Sequence, residues 1–297
     1  MDPVFSSQHR HYGDASRMRA RPPTLPPGHD RCGGSSFTAP LLRRLSRFLS
    51  LTDDEIRSLD DLQRTRQELP RNRDIVIQGR KYTKLFVLNS GVAIRYKFLH
   101  DGGRQIVNFI LPGEVVGLPS SLFESALYTS STLTDSVVAT VTFADINRVF
   151  HGSPRLAAAL FCQSACEAAM YAEHVVDIGR RSAYERIAHL FLELLYRWRV
   201  IDAADERSFE MPLTQELIAD ALGLSIVHVN RTLRRLRESG LIEVQGHRFT
   251  IVDLEAVAEL ADFDGSYLAH CRSLVLPPLP QSADGRRQDA FANPPVT

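Results

Sequence analysis

The run Thr214–Ile242, TQELIADALGLSIVHVNRTLRRLRESGLI, carries two helical periods separated by one glycine. Thr214 caps a first helix reaching Leu222, because its hydroxyl can accept a bond from an orphan amide of the first turn. Gly223 supplies the permissive backbone of a tight corner. Ser225 caps a second helix that runs to about Glu238 and ends before Gly240. Ala219 falls where the two helices cross, and a larger side chain there would push them apart. Leu217, Leu222, Val229, Leu233 and Leu236 form one buried stripe. Residue types and spacing together predict a helix-turn-helix.

The opposite face of the second helix presents Ile226, Val227, Asn230, Arg231 and Arg234, flanked by Arg235 and Arg237. In such a motif the start of the second helix meets base edges, while outlying basic groups and amides meet phosphates. Arg231 can fork onto guanine O6 and N7, a contact worth about 1–3 kcal/mol of discrimination. Asn230 suits adenine or a phosphate, and Ile226 and Val227 suit thymine methyls or plain packing. Thr214, Gln215, Ser225 and His228 complete the candidate DNA-binding surface. LIEVQGHRFTI reads as a hairpin turning near Gly246, a wing whose Gln245 or Arg248 can reach the DNA backbone. Arginines alone on an exposed helix would merely be solvated. With cap, corner glycine, crossing alanine and stripe in register, double-stranded DNA becomes the expected partner.

Working outward, 297 residues suffice for two domains with separate cores. The chain is 44% hydrophobic and 24% charged, and 35 basic residues balance 35 acidic ones, so any field that attracts nucleic acid must be local. No run approaches the roughly 18 apolar residues of a membrane helix, and no apolar segment of a secretory signal opens the chain. Four cysteines (Cys32, Cys162, Cys166, Cys271) suit a reducing compartment. The expectation is a cytoplasmic protein without a membrane partner. Residues 1–38, rich in Pro, Gly, Ser and Arg, read as a disordered tail in which Met18 is a second candidate start, and 263–297 read as a C-terminal tail.

In PLLRRLSRFLSLTDDEIRSLDDL we read a short helix, a break and a second helix capped at Thr52, with Asp53, Asp54 and Glu55 at its positive end. Between Gln63 and Phe143 the period becomes two. DIVIQ, KLFVLNSG, VAIRYKF, RQIVNFILPG and SVVATVTF predict strands of an antiparallel roll spanning, with the helices, residues 39–152. After Ser153 and Pro154 an alanine-rich helix runs to Ile178. A capping box of Ser182 and Glu185 starts a fresh helix, so residues 153–181 form a stalk and hinge and 182–262 a small helical domain. Ala157, Phe161, Ser164, Ala168, Tyr171 and Val175 make a dimerisation seam for a parallel partner. A competing stripe through Leu156, Leu160 and Gln163 can pack on the roll.

With these residues in hand the chain resembles the Crp/Fnr superfamily of bacterial transcription regulators, from about Leu42 to Leu260. The likeness lies in LNSGVAIRYK, HDGGRQIVNFILPGEVVGL, GRRSAYERIAHLFLELL and LTQELIADALGLSIVHVNRTLRRLRESGLI. The resemblance implies an α+β chain with a cyclic-nucleotide-binding-like antiparallel β-roll, a long dimerisation helix and a C-terminal winged helix-turn-helix. It also implies a homodimer on a palindromic operator, with RNA polymerase as a further partner. Three departures stand out. Leu118 sits near the position where cyclic-nucleotide-binding members place a glutamate, and no arginine occurs between Gly117 and Asp135 to meet a cyclic phosphate. The oxygen-sensing branch holds iron–sulfur with an N-terminal cysteine cluster, and only Cys32 lies in that region. The glutamate that family members commonly carry near Val227 is also missing, so a different half-site is expected.

Cys162, Cys166, Met170 and His174 recur every four residues, but that step drifts around the helix, so packing rather than metal binding is the expected role. Histidines are scattered and neither a phosphate loop nor a nucleophile elbow is present. No catalytic residue, metal site or cofactor is therefore expected. The competing function is a ligand-binding regulator of a partner protein. For the roll itself, isothermal titration should detect no micromolar cAMP binding.

Overall fold

A computed structural model of the chain describes residues 38–269. Two helices open it, α1 (Ala39–Ser46) and α2 (Asp53–Leu62). Strands β1 (Arg66–Leu69), β2 (Asp74–Val76), β3 (Lys84–Ser90), β4 (Ala93–Phe98), β5 (Arg104–Ile110) and β6 (Val115–Val116) follow. A short helix α3 (Leu118–Leu122) precedes β7 (Thr129–Thr132), β8 (Ser136–Thr142) and α4 (Phe143–Gly152). Then come α5 (Pro154–Arg180), α6 (Ala183–Arg199), β9 (Ser208–Glu210), α7 (Gln215–Leu222) and α8 (Ile226–Glu238). The wing strands β10 (Ile242–Gln245) and β11 (Arg248–Ile251) and helices α9 (Leu254–Ala261) and α10 (Ser266–Ala269) complete it. Capping boxes at Thr52/Glu55, Thr142/Asp145 and Ser182/Glu185 set the starts of α2, α4 and α6.

The roll consists of two antiparallel sheets, β1-β8-β3-β6 and β2-β7-β4-β5. Strand alternation gives each sheet an inner and an outer face. Phe86, Leu88, Ala93, Ile110, Val116 and Val138 fill the interior. Leu85 and Val87 of β3 and Ala139 and Val141 of β8 face outward, under Leu41, Leu42 and Leu45 of α1, Leu59 of α2 and Leu156 and Ala159 of α5. The weak strands β1 (RQEL) and β7 (TSST) have no apolar alternation to announce them; they are strands because their neighbours pair with them. Gly113, at φ +83°, lets the backbone of α1 press on the LPGE turn, where an added Cβ would lie 2.6 Å from the Pro40 carbonyl.

The two domains do not keep separate cores. The outer face of β4 and β5, with Ile94, Tyr96, Ile106 and Phe109, is continuous with Ile187, Phe191, Leu194 and Leu195 of α6 and with the helix-turn-helix interior. Strands that are apolar on both faces are built to be covered on both. Phe263, Tyr267 and Leu268, expected in the C-terminal tail, also pack here: Phe263 stacks on Tyr196, and the Tyr267 hydroxyl donates to Glu193 at 3.2 Å. Burial of the Phe263 and Tyr267 rings fixes this segment on α6. Of the expected tails, 1–38 and 263–297, residues 1–37 and 270–297 lie outside the described residues.

A buried ionic cluster crosses the same joint. Arg197 of α6 donates through Nη2 to both Glu114 carboxylate oxygens, at 3.0 and 2.8 Å, and through Nη1 to Asn108 and Glu193, at 3.2 and 3.0 Å. Arg44 of α1 reaches Glu114 at 3.2 Å and the Pro112 carbonyl at 2.7 Å. Burial would raise the Glu114 carboxyl, but Arg197 and Arg44 outweigh it and hold it below the ordinary range. Burial, only partly offset by Glu114, draws Arg44 down to about 10. Farther out, Arg104 of β5 pairs with Asp220 of α7 at 2.6 Å, and Gln105 donates to the Ala221 carbonyl at 2.9 Å. Truncating one member of a buried cluster strands its partners' charge, so Glu114→Gln should cost about 3–5 kcal/mol in urea unfolding at neutral pH. The depressed Glu114 carboxyl contributes stability that is complete above the unfolded value of 4.5 and is lost as pH falls through the folded one. The variant should therefore show a shallower acid decline than the wild type.

Candidate nucleic-acid interface

The helix-turn-helix is held by its predicted caps. Thr214 Oγ1 accepts from the Leu217 amide at 3.2 Å, and Ser225 Oγ accepts from the His228 amide at 3.2 Å. Gly223 closes α7 in the left-handed region at φ +63°, which lets its amide bond to the Ala219 carbonyl and turns the chain into α8. Leu217, Ala219, Leu222, Val229, Leu233 and Leu236 are all buried, as the stripe requires. Leaving the amides of Ile226 and Val227 without intrahelical partners creates a place for a phosphate at the start of α8.

The outward face of α8 is exposed along its length, with Val227 80% accessible and Ile226, Asn230, Arg231, Arg234 and Arg235 all on the surface; His228 is half-buried. Four arginines against one glutamate on this helix make the local basic field that the neutral chain lacks overall. Arg231 has no ion-pair or hydrogen-bond partner among the described residues. Asn230 Nδ2 donates to Gln215 Oε1 at 3.1 Å, tying the starts of the two helices together. Arg234 pairs with Glu238 at 2.7 Å in open solvent, a bond weak enough to exchange for a phosphate. Arg235 lies 4.3 Å over the Tyr184 ring of α6, whose hydroxyl donates to Ser239.

The wing forms as read, β10 and β11 turning through Gly246, with β9 as an unforeseen third strand. Gln245 is exposed near the tip. Arg248, by contrast, lies along the wing surface against Asp205, Ser208 Oγ at 2.7 Å and Glu210 at 3.5 Å. Its expected reach to the backbone is opposed by two carboxylates that come together only once β9 pairs with β11. Tyr184, Asp205 and Glu210 are the residues that sequence reasoning missed, and no periodicity marks them.

Helix α5 settles the competition between stripes. Leu156, Ala159, Cys162, Gln163, Cys166, Met170 and Asp177 are its buried residues, so Cys162, Cys166 and Met170 serve as packing. Arg181 locks the hinge by donating to Asp177 at 2.8 Å and to Glu173 at 3.0 Å. On the far side Phe161 (74%) and Val175 (69%) are exposed, with Ala165, Ala168 and Ala172 between them. Of the expected seam, Phe161, Ala168 and Val175 lie on this open face, Ala157 and Ser164 are half-buried, and Tyr171 turns to the roll. Ser164 donates to the Leu160 carbonyl, and the Tyr171 hydroxyl is taken by Glu167 and Arg95. The tyrosine ring follows its hydroxyl to the roll. Ala165 and Ala172 share the open face.

The roll residues do not fit a cyclic nucleotide. Leu118 begins the short helix α3, side chains fill the interior, and the buried cation facing β7, Arg95 of β4, is already paired with Glu167 of α5.

Residues 66–153 match the family of the cyclic nucleotide-binding domain, and residues 185–260 match the Crp-like helix-turn-helix domain. The nitrogen fixation regulation protein FixK of Rhizobium meliloti is 31% identical over 191 residues, covering 64% of this chain and 84% of the relative. The transcriptional activator protein FnrA of Stutzerimonas stutzeri is 26% identical over 213 residues, covering 72% and 87%. Among solved structures, FixK2 of Bradyrhizobium japonicum is similar with a TM-score of 0.59 at 26% identity, over 66% of this chain and 96% of that one. Roll and helix-turn-helix thus point to one group, and the chain belongs to the Crp/Fnr superfamily of DNA-binding transcription regulators.

Proposed function

We propose that the chain acts as a homodimer on a two-fold operator, without cyclic nucleotide, and regulates transcription through RNA polymerase. The observation that carries this reading is the combination of an exposed arginine face on α8 with an apolar face on α5 left open to solvent. Phe161, Ala165, Ala168, Ala172 and Val175 follow the alternating four- and three-residue steps of a parallel two-stranded seam, and the alanines permit close approach. A two-fold axis along that seam sets two copies of α8 in successive major grooves, about 34 Å apart.

Within each half-site Arg231, with no competing carboxylate, reads guanine, and Asn230 with Gln215 reads adenine or fixes a phosphate. Thr214, Ser225, Ile226, Val227 and His228 line the approach, Arg234 and Arg235 meet phosphates, and Gln245 extends from the wing. Arg248 engages DNA only by leaving its carboxylates, so its contribution is the smallest of the set.

Mobility shifts across salt test the assignment. Arg231→Ala should lose about 1–3 kcal/mol of operator discrimination, whereas Arg235→Ala should leave discrimination intact and lower the salt slope by about one phosphate. Equal losses on random DNA would defeat the distinction. Ala165→Glu should convert a sedimenting dimer into a monomer and remove operator binding; a wild-type monomer would exclude the dimeric reading.

A further inference from the structure

Arg95 of β4 sits opposite Ser130 of β7 and shares its strand face with Ala93, so it points into the roll, where it is 4% exposed. A guanidinium so placed needs an anion. Its Nη1 donates to Glu167 Oε1 of α5 at 2.6 Å and to the Tyr171 hydroxyl, which itself donates to the same carboxylate oxygen at 2.9 Å. Its Nη2 faces the Val115 carbonyl at 3.4 Å. Burial works against the charge on Arg95, but Glu167 and Tyr171 more than offset it.

The surroundings give this pair its meaning. Val115 belongs to the PGEVVG turn, and Ser130 lies on the strand that closes the segment Gly117–Asp135, which contains no arginine. The cation missing from that segment is therefore supplied by β4, and a carboxylate of the chain's own stalk already occupies it. We propose that Arg95 is an anion receptor of the sensor domain and that Glu167 is its built-in occupant, a carboxylate that takes the place of an acidic effector. The bond spans the roll and α5, so the chain's own carboxylate seats the stalk. Small carboxylates are the ligand class that fits, and they enter only when Glu167 is absent. The regulatory consequence rests on the proposed function; the receptor itself does not.

Chemical rescue tests it in the full-length chain. Glu167→Ala leaves Arg95 charged beside a vacated space. Sodium propionate should then raise the melting temperature by about 3 °C over sodium chloride at equal ionic strength, the shift that occupancy of a site well above its dissociation constant produces. The wild type, Glu167→Gln (whose amide still fills the space) and the double variant Arg95→Met/Glu167→Ala should show no difference between the salts. If Glu167→Ala does not fold in chloride, its recovery on refolding in propionate supports the receptor. Failure in both salts, an equal response to both, or a response that survives in the double variant overturns it. Operator binding by the wild type is measured alongside; its loss would defeat the proposed function and leave the propionate result to stand or fall alone.

Discussion

A guanidinium without access to water must find its partners inside the protein, and Arg197 finds most of them on the roll. Glu114, Asn108 and the Phe109 carbonyl all come from β5 or the turn after it, and Arg44 of α1 shares the same carboxylate. Withdrawing any one group would leave charge in a medium of low dielectric. Helix α6 is therefore held in one position, and α6 is the floor on which α7, α8, α9 and the wing are assembled. The continuous apolar layer below it supplies the area; the ionic cluster supplies the direction.

From that joint the division of α5 follows. Its roll-facing side is closed by Leu156, Cys162, Cys166 and Met170 and pinned by Glu167 on Arg95, so the residues left in solvent are the small and apolar ones. Exposed phenylalanine and valine on an otherwise polar surface are costly to leave uncovered. Seating of the stalk and placement of the recognition helix are thus two results of the same packing.

The recognition surface meets a different constraint. A chain with no net charge can present a basic face only by segregating its arginines, and α8 does this within one helix. Several of these arginines are already engaged, Arg234 with Glu238 and Arg235 with Tyr184, in exposed contacts that restrain the side chains without neutralising the face. Arg248 shows the other outcome, because two carboxylates surround it and its charge is largely compensated.

Much of this was legible in the residues alone. Caps, the glycine corner at Gly223, the buried stripe and the strand alternation are local properties, set by backbone geometry and side-chain period, so the order of roll, stalk and helix-turn-helix could be read directly. Which side of α5 faces the roll could not be read, because both sides are apolar at helical spacing and only the position of β4 and β5 separates them. Nor could the shared core, the pairing of Arg248 with Asp205 and Glu210, or the pairing of Arg95 with Glu167 across 72 positions. Each depends on two segments distant in the chain arriving at the same place. Local pattern decides what an element is, and only packing decides what it touches.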